Sequence, residues 1–174
     1  LAFLIALNLG AGTAWTAAPP GEYQIKAAYL LNFARYMEWP AARLPIGALL
    51  RLCVLGRDPF GGALMGLEGR QVNGHEMRLR QIEGVDQAGD CHLVFIADSE
   101  ERRLGLLLRG LAGKGVLSVS DADGFAEAGG GIGLVVEDGR VRFDINHAAL
   151  QRDGLRASSQ LLRLGRNVLG VRGF

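Results

Sequence analysis

Residues 91–120 read CHLVFIADSEERRLGLLLRGLAGKGVLSVS, and the order of apolar and polar segments in this stretch indicates the fold class. The first segment, Cys91–Ala97, is continuously apolar, which is typical of a strand buried on both faces of a parallel sheet. Asp98–Ser99 then supply a helix N-cap, and the predicted helix runs to Leu111. A second strand follows at Gly115–Ser120. A strand, a helix and a strand in succession predict a parallel pair of strands joined by a crossover helix.

The flanking segments extend this pattern in both directions. Asp138-Gly139 is a turn signal between two alternating segments, which predicts a β-hairpin. The other predicted elements are a helix at Glu22–Tyr36, an apolar strand at Leu49–Leu55, a short helix at Phe60–Leu67, an alternating strand at His75–Ile82, hairpin strands at Ile132–Val136 and Arg140–Ile145, and helices at His147–Arg152 and Leu155–Val168. The sequence therefore predicts a single α/β domain. Its mixed, mostly parallel sheet is flanked by helices, with a β-hairpin and a helix at the C-terminal end.

The charge composition argues against nucleic-acid binding. The 174-residue chain has 19 basic and 18 acidic residues and a formal net charge of +1. A nucleic-acid-binding domain usually has a basic surplus or a block of lysines and arginines, whereas the arginines here are scattered. We therefore expect no nucleic-acid partner.

The N-terminal segment is predicted to be a secretory signal peptide. Residues 1–9 read LAFLIALNL and are followed by small residues. An apolar core of that length before a small-residue stretch is typical of an export signal, and it is too short for a membrane span. We expect residues 1–18 to be this leader, truncated at its start, and residues 19–174 to form a soluble periplasmic domain without stable membrane insertion.

Export would place the two cysteines, Cys53 and Cys91, in an oxidising compartment. One disulfide is then the default interpretation of an even cysteine count. Two free thiols buried in strands are the alternative. A redox-active pair is disfavoured because the spacing is not Cys-x-x-Cys.

The segment from Gly56 to Phe60 is a candidate ligand- or partner-binding loop. It follows a predicted parallel strand, and open α/β sheets bind ligands at the carboxyl ends of such strands. The segment lacks G-x-G-x-x-G spacing, and Pro59 removes a backbone amide, so an ordinary turn is favoured over a phosphate site. We single out Gly56, Arg57, Asp58 and Phe60.

No catalytic or metal-binding constellation is visible in the sequence. The three histidines, His75, His92 and His147, are far apart and not at ligand spacing on one helix. Ser158 lacks a Gly-x-Ser-x-Gly elbow. We expect no metal, no cofactor and no enzymatic activity. A hydrolase using Ser158 or Asp58 is the remaining enzyme hypothesis.

Seven short blocks, taken together and in order, resemble a known family. They are EYQIKAAYL with NF within 22–33, WP at 39–40, CVLG with DPF within 53–60, CHLVFI at 91–96, GVLSVSD at 115–121, RVRFDIN at 140–146, and SSQLLRL at 158–164. No single block is specific, but their combination resembles the YfiR family of bacterial periplasmic proteins over nearly the whole chain from Glu22 to Val168.

The resemblance implies a non-enzymatic repressor that takes part in cyclic-di-GMP signalling and biofilm regulation. Such a protein binds the periplasmic sensory domain of a YfiN-type inner-membrane diguanylate cyclase, and a peptidoglycan-associated outer-membrane lipoprotein can sequester it. The resemblance also implies a homodimer. It supports a Cys53–Cys91 bridge, although this chain has one cysteine pair where the best-known member has two, which argues against a redox-switch role.

The nearly all-apolar helix at Glu22–Tyr36 is a candidate partner surface. We expect Tyr23, Lys26, Tyr29 and Phe33 to face a partner. The alternative is a helix covered on both sides within one domain. The alternative function is a small-ligand-binding sensor module for another membrane receptor or histidine kinase, with its pocket near Gly56–Phe60.

Overall fold

The computed structural model describes residues 21–171, and most of its strands belong to one eight-stranded sheet. The elements in chain order are α1 (Glu22–Tyr36), β1 (Met37–Glu38), β2 (Leu50–Leu55), β3 (Gln71–Val72), β4 (His75–Ile82), β5 (Leu93–Ile96), α2 (Leu104–Leu111), β6 (Leu117–Ser120), β7 (Ile132–Glu137), β8 (Arg140–Asn146), α3 (His147–Arg152), β9 (Arg156–Ala157), α4 (Ser159–Leu164) and β10 (Asn167–Leu169). Short 3₁₀ helices lie at Met65–Leu67, Val85–Asp90 and Asp98–Arg103.

The strand order in the sheet is β10-β8-β7-β6-β5-β2-β4-β3. The five strands from β7 to β4 in that order run parallel, whereas β8 is antiparallel to β7, and β3 is antiparallel to β4. Counted along the chain, the parallel strands stand in the order 2-1-3-4-5, the doubly wound arrangement whose connections leave the sheet in opposite directions between β2 and β5. The predicted fold class is confirmed.

The two faces of the sheet are covered by different helices. In β2, Leu52 and Val54 belong to the hydrophobic cluster that contains α1 residues. Cys53 and Leu55 belong to the cluster that contains α2 residues. This separation follows from the two-residue period of a strand, which turns successive side chains to opposite faces. A strand covered on both faces therefore needs apolar residues throughout, as β5 shows.

Cys53 and Cys91 form a disulfide on the α2 face of the sheet. Cys53 lies within β2, and Cys91 lies two residues before the neighbouring parallel strand β5. Their Cα atoms are 6.0 Å apart, and both side chains are fully buried. The bridge ties two adjacent strands together inside the core, where a polar or charged replacement would be costly.

The prediction of one helix over Leu155–Val168 is wrong. That segment contains β9, the six-residue α4 and β10. The Ser158 hydroxyl caps α4 by accepting a hydrogen bond from the Leu161 amide at 3.1 Å. After α4, Arg166 Nε donates to Asp144 Oδ1 at 2.9 Å, which holds the chain beside β8. Because Asp144 is nearly fully buried, this long-range ion pair overrides the local helical preference.

Two local predictions also differ from the structure. The segment that begins at Asp98 is a 3₁₀ helix without a side-chain cap, and Ser99 instead accepts a hydrogen bond from the Arg57 amide at 2.9 Å. The helix predicted at Phe60–Leu67 is reduced to the 3₁₀ turn at Met65–Leu67. Gly61 has a φ of +58°, which is incompatible with a continuous right-handed helix.

The predicted leader at residues 1–18 lies outside the described residues. Between residues 21 and 171, no helix combines the length and the apolar character needed to cross a membrane. The longest helix described, α1, has 15 residues and carries a buried lysine.

Replacing both cysteines by alanine is expected to lower the free energy of unfolding by about 3–4 kcal/mol, because the bridge closes a loop with a sequence separation of 38 residues. Urea unfolding measures the change. Reduction of the wild-type protein should produce a similar loss, and reduction of the double variant should produce none. A melting temperature that does not respond to reduction in the wild type would contradict this prediction.

Candidate functional site

The loops that follow β2, β5 and β6 meet at the carboxyl edge of the parallel sheet. They carry Asp58, Asp98 and Asp121, respectively. In doubly wound sheets this edge forms a crevice where neighbouring connections leave toward opposite faces, here between β2 and β5. The predicted loop at Gly56–Phe60 lies at that point. The carboxyl edge is therefore the candidate functional site.

The Gly56 loop is held against the 3₁₀ turn that follows β5. The Arg57 amide donates to Ser99 Oγ at 2.9 Å, and Gln81 Nε2 donates to the Gly56 carbonyl oxygen. Gly56 has a φ of +95°, and a Cβ there would lie 2.7 Å from Ser99 Oγ. Glycine is thus required by both the backbone conformation and the close contact.

The four residues singled out in this loop have different environments. The side chains of Arg57 and Asp58 are exposed, and Asp58 Oδ1 accepts a hydrogen bond from the Phe60 amide at 2.8 Å. Phe60 is 4% exposed, and its ring lies edge-to-face 4.7 Å from the Phe95 ring. Phe60 is therefore a core residue that anchors the loop, whereas Gly56, Arg57 and Asp58 are at least partly exposed.

A cleft of about 430 Å³ opens beside this loop. Its lining includes one basic and two acidic side chains. The lining residues are Gly56, Arg57, Gln81, Ile82, Glu83, Ser99 and Glu100. The volume is within the range of small-molecule sites. Glu100 is engaged by Arg103, whereas the Arg57 guanidinium has no hydrogen-bond or ion-pair partner among residues 21–171.

A buried ionic cluster joins the first turns of α1 to the end of β6. Lys26 Nζ lies 2.7 Å from Asp121 Oδ2 and 2.5 Å from Glu22 Oε1, and its side chain is 5% exposed. The Tyr23 hydroxyl donates to the same Asp121 oxygen at 2.9 Å. The ammonium also lies 4.4 Å from the centre of the Tyr23 ring, which adds a cation–π contact.

The electrostatics of the cluster keep its phenol neutral. Burial raises the pKa of Tyr23 well above its ordinary value, and the neighbouring Asp121 carboxylate adds to the shift. Tyr23 therefore acts as a hydrogen-bond donor and not as a base. Within the described part of the chain, Asp121 Oδ1 is buried without a hydrogen-bond partner. The cost of this unsatisfied acceptor is offset because Lys26 and Tyr23 both donate hydrogen bonds to the other carboxylate oxygen, Oδ2.

The four α1 residues predicted to face a partner point into the domain. Phe33 is fully buried and lies 5.1 Å from the Phe143 ring, so it offers no surface to a partner. Lys26 belongs to the ionic cluster described above. Tyr23 and Tyr29 are half-buried, and the Tyr29 hydroxyl donates to the Val141 carbonyl oxygen at 3.0 Å. That expectation is corrected, because helical spacing places these side chains on the covered face.

The opposite face of α1 is exposed and partly apolar. It carries Gln24, Ile25, Ala28 and Arg35, and the Ile25 side chain is 51% exposed. A sequence that is apolar around most of a helix does not indicate which face the sheet covers. Sequence reasoning therefore named the wrong face. It also gave no role to Asp121, since nothing local to Asp121 predicts Lys26 as its partner.

The remaining candidate side chains have structural contacts. Ser158 caps α4, and Asp58 forms the turn before Phe60. Over residues 21–171, no group of three or more histidine, cysteine, aspartate or glutamate side chains is placed to hold a metal ion. His92 is buried at the amino edge of β5.

Comparison with known proteins gives one family and a shared fold. A sequence model for a family described as YfiR/HmsC-like matches residues 23–166. The ABC domain in complex with L-Trp from Streptococcus pneumoniae has a TM-score of 0.56 at 8% identity, over 82% of this chain and 60% of that one. A conserved domain protein from Vibrio cholerae has a TM-score of 0.55 at 9% identity, over 84% of this chain and 60% of that one. The chain thus spans less than two thirds of these structures, and the likeness shows the fold alone.

Replacing Lys26 by methionine is expected to lower the free energy of unfolding by about 3–5 kcal/mol, because it leaves the Asp121 charge buried without its cation. Adding Asp121→Asn to that variant should recover part of the loss. Arg35→Met, an exposed site on the same helix, should change stability by less than about 0.5 kcal/mol. Chemical denaturation compares the variants. Equal effects of the Lys26 and Arg35 substitutions would show that the cluster does not hold α1 in place.

Proposed function

Because this chain belongs to the YfiR/HmsC-like family, we propose that it represses an inner-membrane diguanylate cyclase by binding the cyclase's periplasmic sensory domain. At the level of the family, such proteins are periplasmic regulators of diguanylate cyclases. The match over residues 23–166 carries the proposal, since it includes nearly the whole described domain. The protein acts by binding and not by catalysis, and its leader at residues 1–18 directs it to the periplasm.

The exposed face of α1 is the proposed contact surface. Ile25 and Ala28 are one turn apart on that face, and both are exposed. Exposed apolar side chains that lie together on a helix are suited to a protein partner. The buried cluster of Lys26 with Asp121 supports this role indirectly, because it keeps α1 on the sheet and so presents the outer face in one orientation.

The proposed mechanism is a population shift in the cyclase. The repressor binds the sensory domain more tightly in its inactive arrangement than in its active one, and the ratio of the two affinities limits the repression. A peptidoglycan-associated lipoprotein that binds the repressor would lower its free concentration and raise cyclic-di-GMP. A homodimer would present two copies of the α1 surface.

Deletion of the gene is expected to raise intracellular cyclic-di-GMP, and the exported protein should restore the original level. The same protein without its leader should not restore it, since it would remain on the wrong side of the membrane. Measurement of the nucleotide in extracts tests both. An unchanged level on deletion would contradict repression of a cyclase.

Ile25→Asp should weaken complementation of that deletion without unfolding the protein, because Ile25 is exposed on α1. Leu106→Asp is the matched control, since Leu106 is a comparably exposed apolar residue, 61% accessible, on α2 across the sheet. Both variants should melt near the wild-type temperature. Equal complementation by the two variants would exclude the α1 face as the contact.

A second candidate function is that of a small-ligand sensor module for another membrane receptor or histidine kinase. The cleft beside Arg57 favours it, because it lies at the point of the sheet where doubly wound folds bind ligands. One structure that shares the fold was determined in complex with L-Trp. An aromatic amino acid is therefore a reasonable first probe for this cleft.

If the cleft binds L-tryptophan, the free energy of unfolding should rise by about 2.7 kcal/mol at a ligand concentration a hundred times the dissociation constant. Thermal unfolding with and without L-tryptophan measures the shift. Arg57→Ala should reduce the shift, whereas Arg70→Ala, an exposed arginine that does not line the cleft, should leave it unchanged. No shift, or an unaltered shift in Arg57→Ala, would argue against this site.

A further inference from the structure

His92 is a buried histidine that the proposed function does not use. It is 4% exposed and lies directly before β5, at the sheet edge opposite the Gly56 loop. Its Nδ1 accepts a hydrogen bond from the Arg51 amide at 3.0 Å, and its Nε2 lies 3.0 Å from the Arg43 carbonyl oxygen. An amide can only donate and a carbonyl can only accept, so the ring is neutral with its proton on Nε2.

The segment from Trp39 to Ala48, here called the strap, is held to the sheet by contacts around His92 and, at its far end, by His75 Nδ1, which lies 2.8 Å from the Ala48 carbonyl oxygen. Trp39 Nε1 donates to the His92 carbonyl oxygen at 3.0 Å, and the two rings meet edge-to-face. Arg43 donates to the carbonyl oxygens of Cys91 at 2.7 Å and Gly89 at 3.0 Å. The strap has no strand or helix of its own, and its tip at Ile46 is fully exposed.

The charged groups that face His92 oppose its protonation. The side chains of Arg43 on the strap, Arg51 on β2 and His75 on β4 disfavour a positive ring, whereas the hydrogen bond to the Arg43 carbonyl oxygen favours one. Burial contributes most, and together these effects lower the pKa of His92 below its ordinary value of 6.5. A protonated ring would also lose the hydrogen bond from the Arg51 amide, because Nδ1 would then be a donor.

The direction in which stability changes with pH follows from this lowered pKa. The unfolded chain binds a proton at His92 as the pH falls through about 6.5, while the folded state with the strap attached does not. The attached state therefore loses stability as the pH falls below that value. The strap is the part of this site that can respond, because it is attached by hydrogen bonds of about 1 kcal/mol each and by the packing of the partly buried Trp39 and Leu44, whereas β2 and β5 lie inside the sheet.

We propose that His92 is an acid-sensitive latch whose protonation detaches the strap from the sheet. Detachment would widen the groove that the strap borders, which has a volume of about 170 Å³. Trp39 and Leu44 form one wall of that groove, and the buried side chains of Leu50 and Val72 form the other. The fold thus couples external acidity to exposure of an apolar surface. This inference does not depend on the identity of any partner.

The test follows Trp39 and His92 by nuclear magnetic resonance in the full chain carrying Trp15→Phe, from about pH 7.5 to about pH 4.5. At neutral pH, the His92 nitrogen shifts should show the Nε2–H tautomer, and the Trp39 indole N–H should be protected from exchange. As His92 titrates, the Trp39 indole signal should shift and lose its protection with the same midpoint, while the amides of β5 and β6 stay protected.

Histidine variants separate the latch from other titrations. His92→Gln can still donate and accept hydrogen bonds but cannot titrate, so the Trp39 transition should disappear. His147→Gln is the matched control and should keep the transition, whereas His75 is left intact because its Nδ1 contacts the Ala48 carbonyl oxygen of the strap. If His92→Gln does not fold, the coincidence of the His92 and Trp39 midpoints in the wild type provides the test.

Three results would overturn the latch. The first is a Trp39 transition that persists in His92→Gln with an unchanged midpoint. The second is that Trp39 shows no change over the pH range, whether His92 titrates or stays neutral throughout. The third is loss of the far-UV circular dichroism signal at the same midpoint as the Trp39 signal. That result would mean that acid unfolds the whole domain and not the strap alone.

Discussion

Complete burial of the parallel strand β5 on both faces is the constraint from which the rest of this structure follows. The side chains from Leu93 to Ile96 are fully buried and alternate between two hydrophobic clusters. A strand with two apolar faces is stable only between two covering layers, so α1 must close one face and α2 the other. The doubly wound strand order follows, because right-handed crossovers on opposite faces require the chain to reverse direction across the sheet.

Such a core confines the polar chemistry to the two edges of the sheet. At the carboxyl edge, the buried pair of Lys26 and Asp121 attaches the start of α1 to β6, and the Gly56 loop borders a cleft. At the amino edge, His92 and Arg43 attach the strap through hydrogen bonds to backbone groups. The buried polar side chains of Lys26 and His92 have partners at these edges, and both edges join a covering segment to the sheet.

The same architecture leaves few surfaces for a partner. The inner faces of both helices are used in the core, and the exposed residues of α1, the cleft and the strap are three regions of the described domain that a partner can reach. A repressor that acts by preferential binding needs one rigid surface, and the outer face of α1 is the surface proposed for that role. A sensor additionally needs an element with two arrangements, and the strap, held by hydrogen bonds and not by strand pairing, is the element of that kind.

Much of the fold could be predicted from the sequence. The central strands, the hairpin at Asp138-Gly139, the helix at Glu22–Tyr36 and the cysteine bridge were all predictable, because periodicity, turn chemistry and cysteine count are local properties of a chain. The C-terminal helix was predicted too long, since Asp144 binds Arg166 across 22 residues. The sequence also could not predict the covered face of α1, the partner of Asp121 or the two hydrogen bonds of His92. Each depends on contacts between residues distant in sequence, which exist only once the sheet has brought them together.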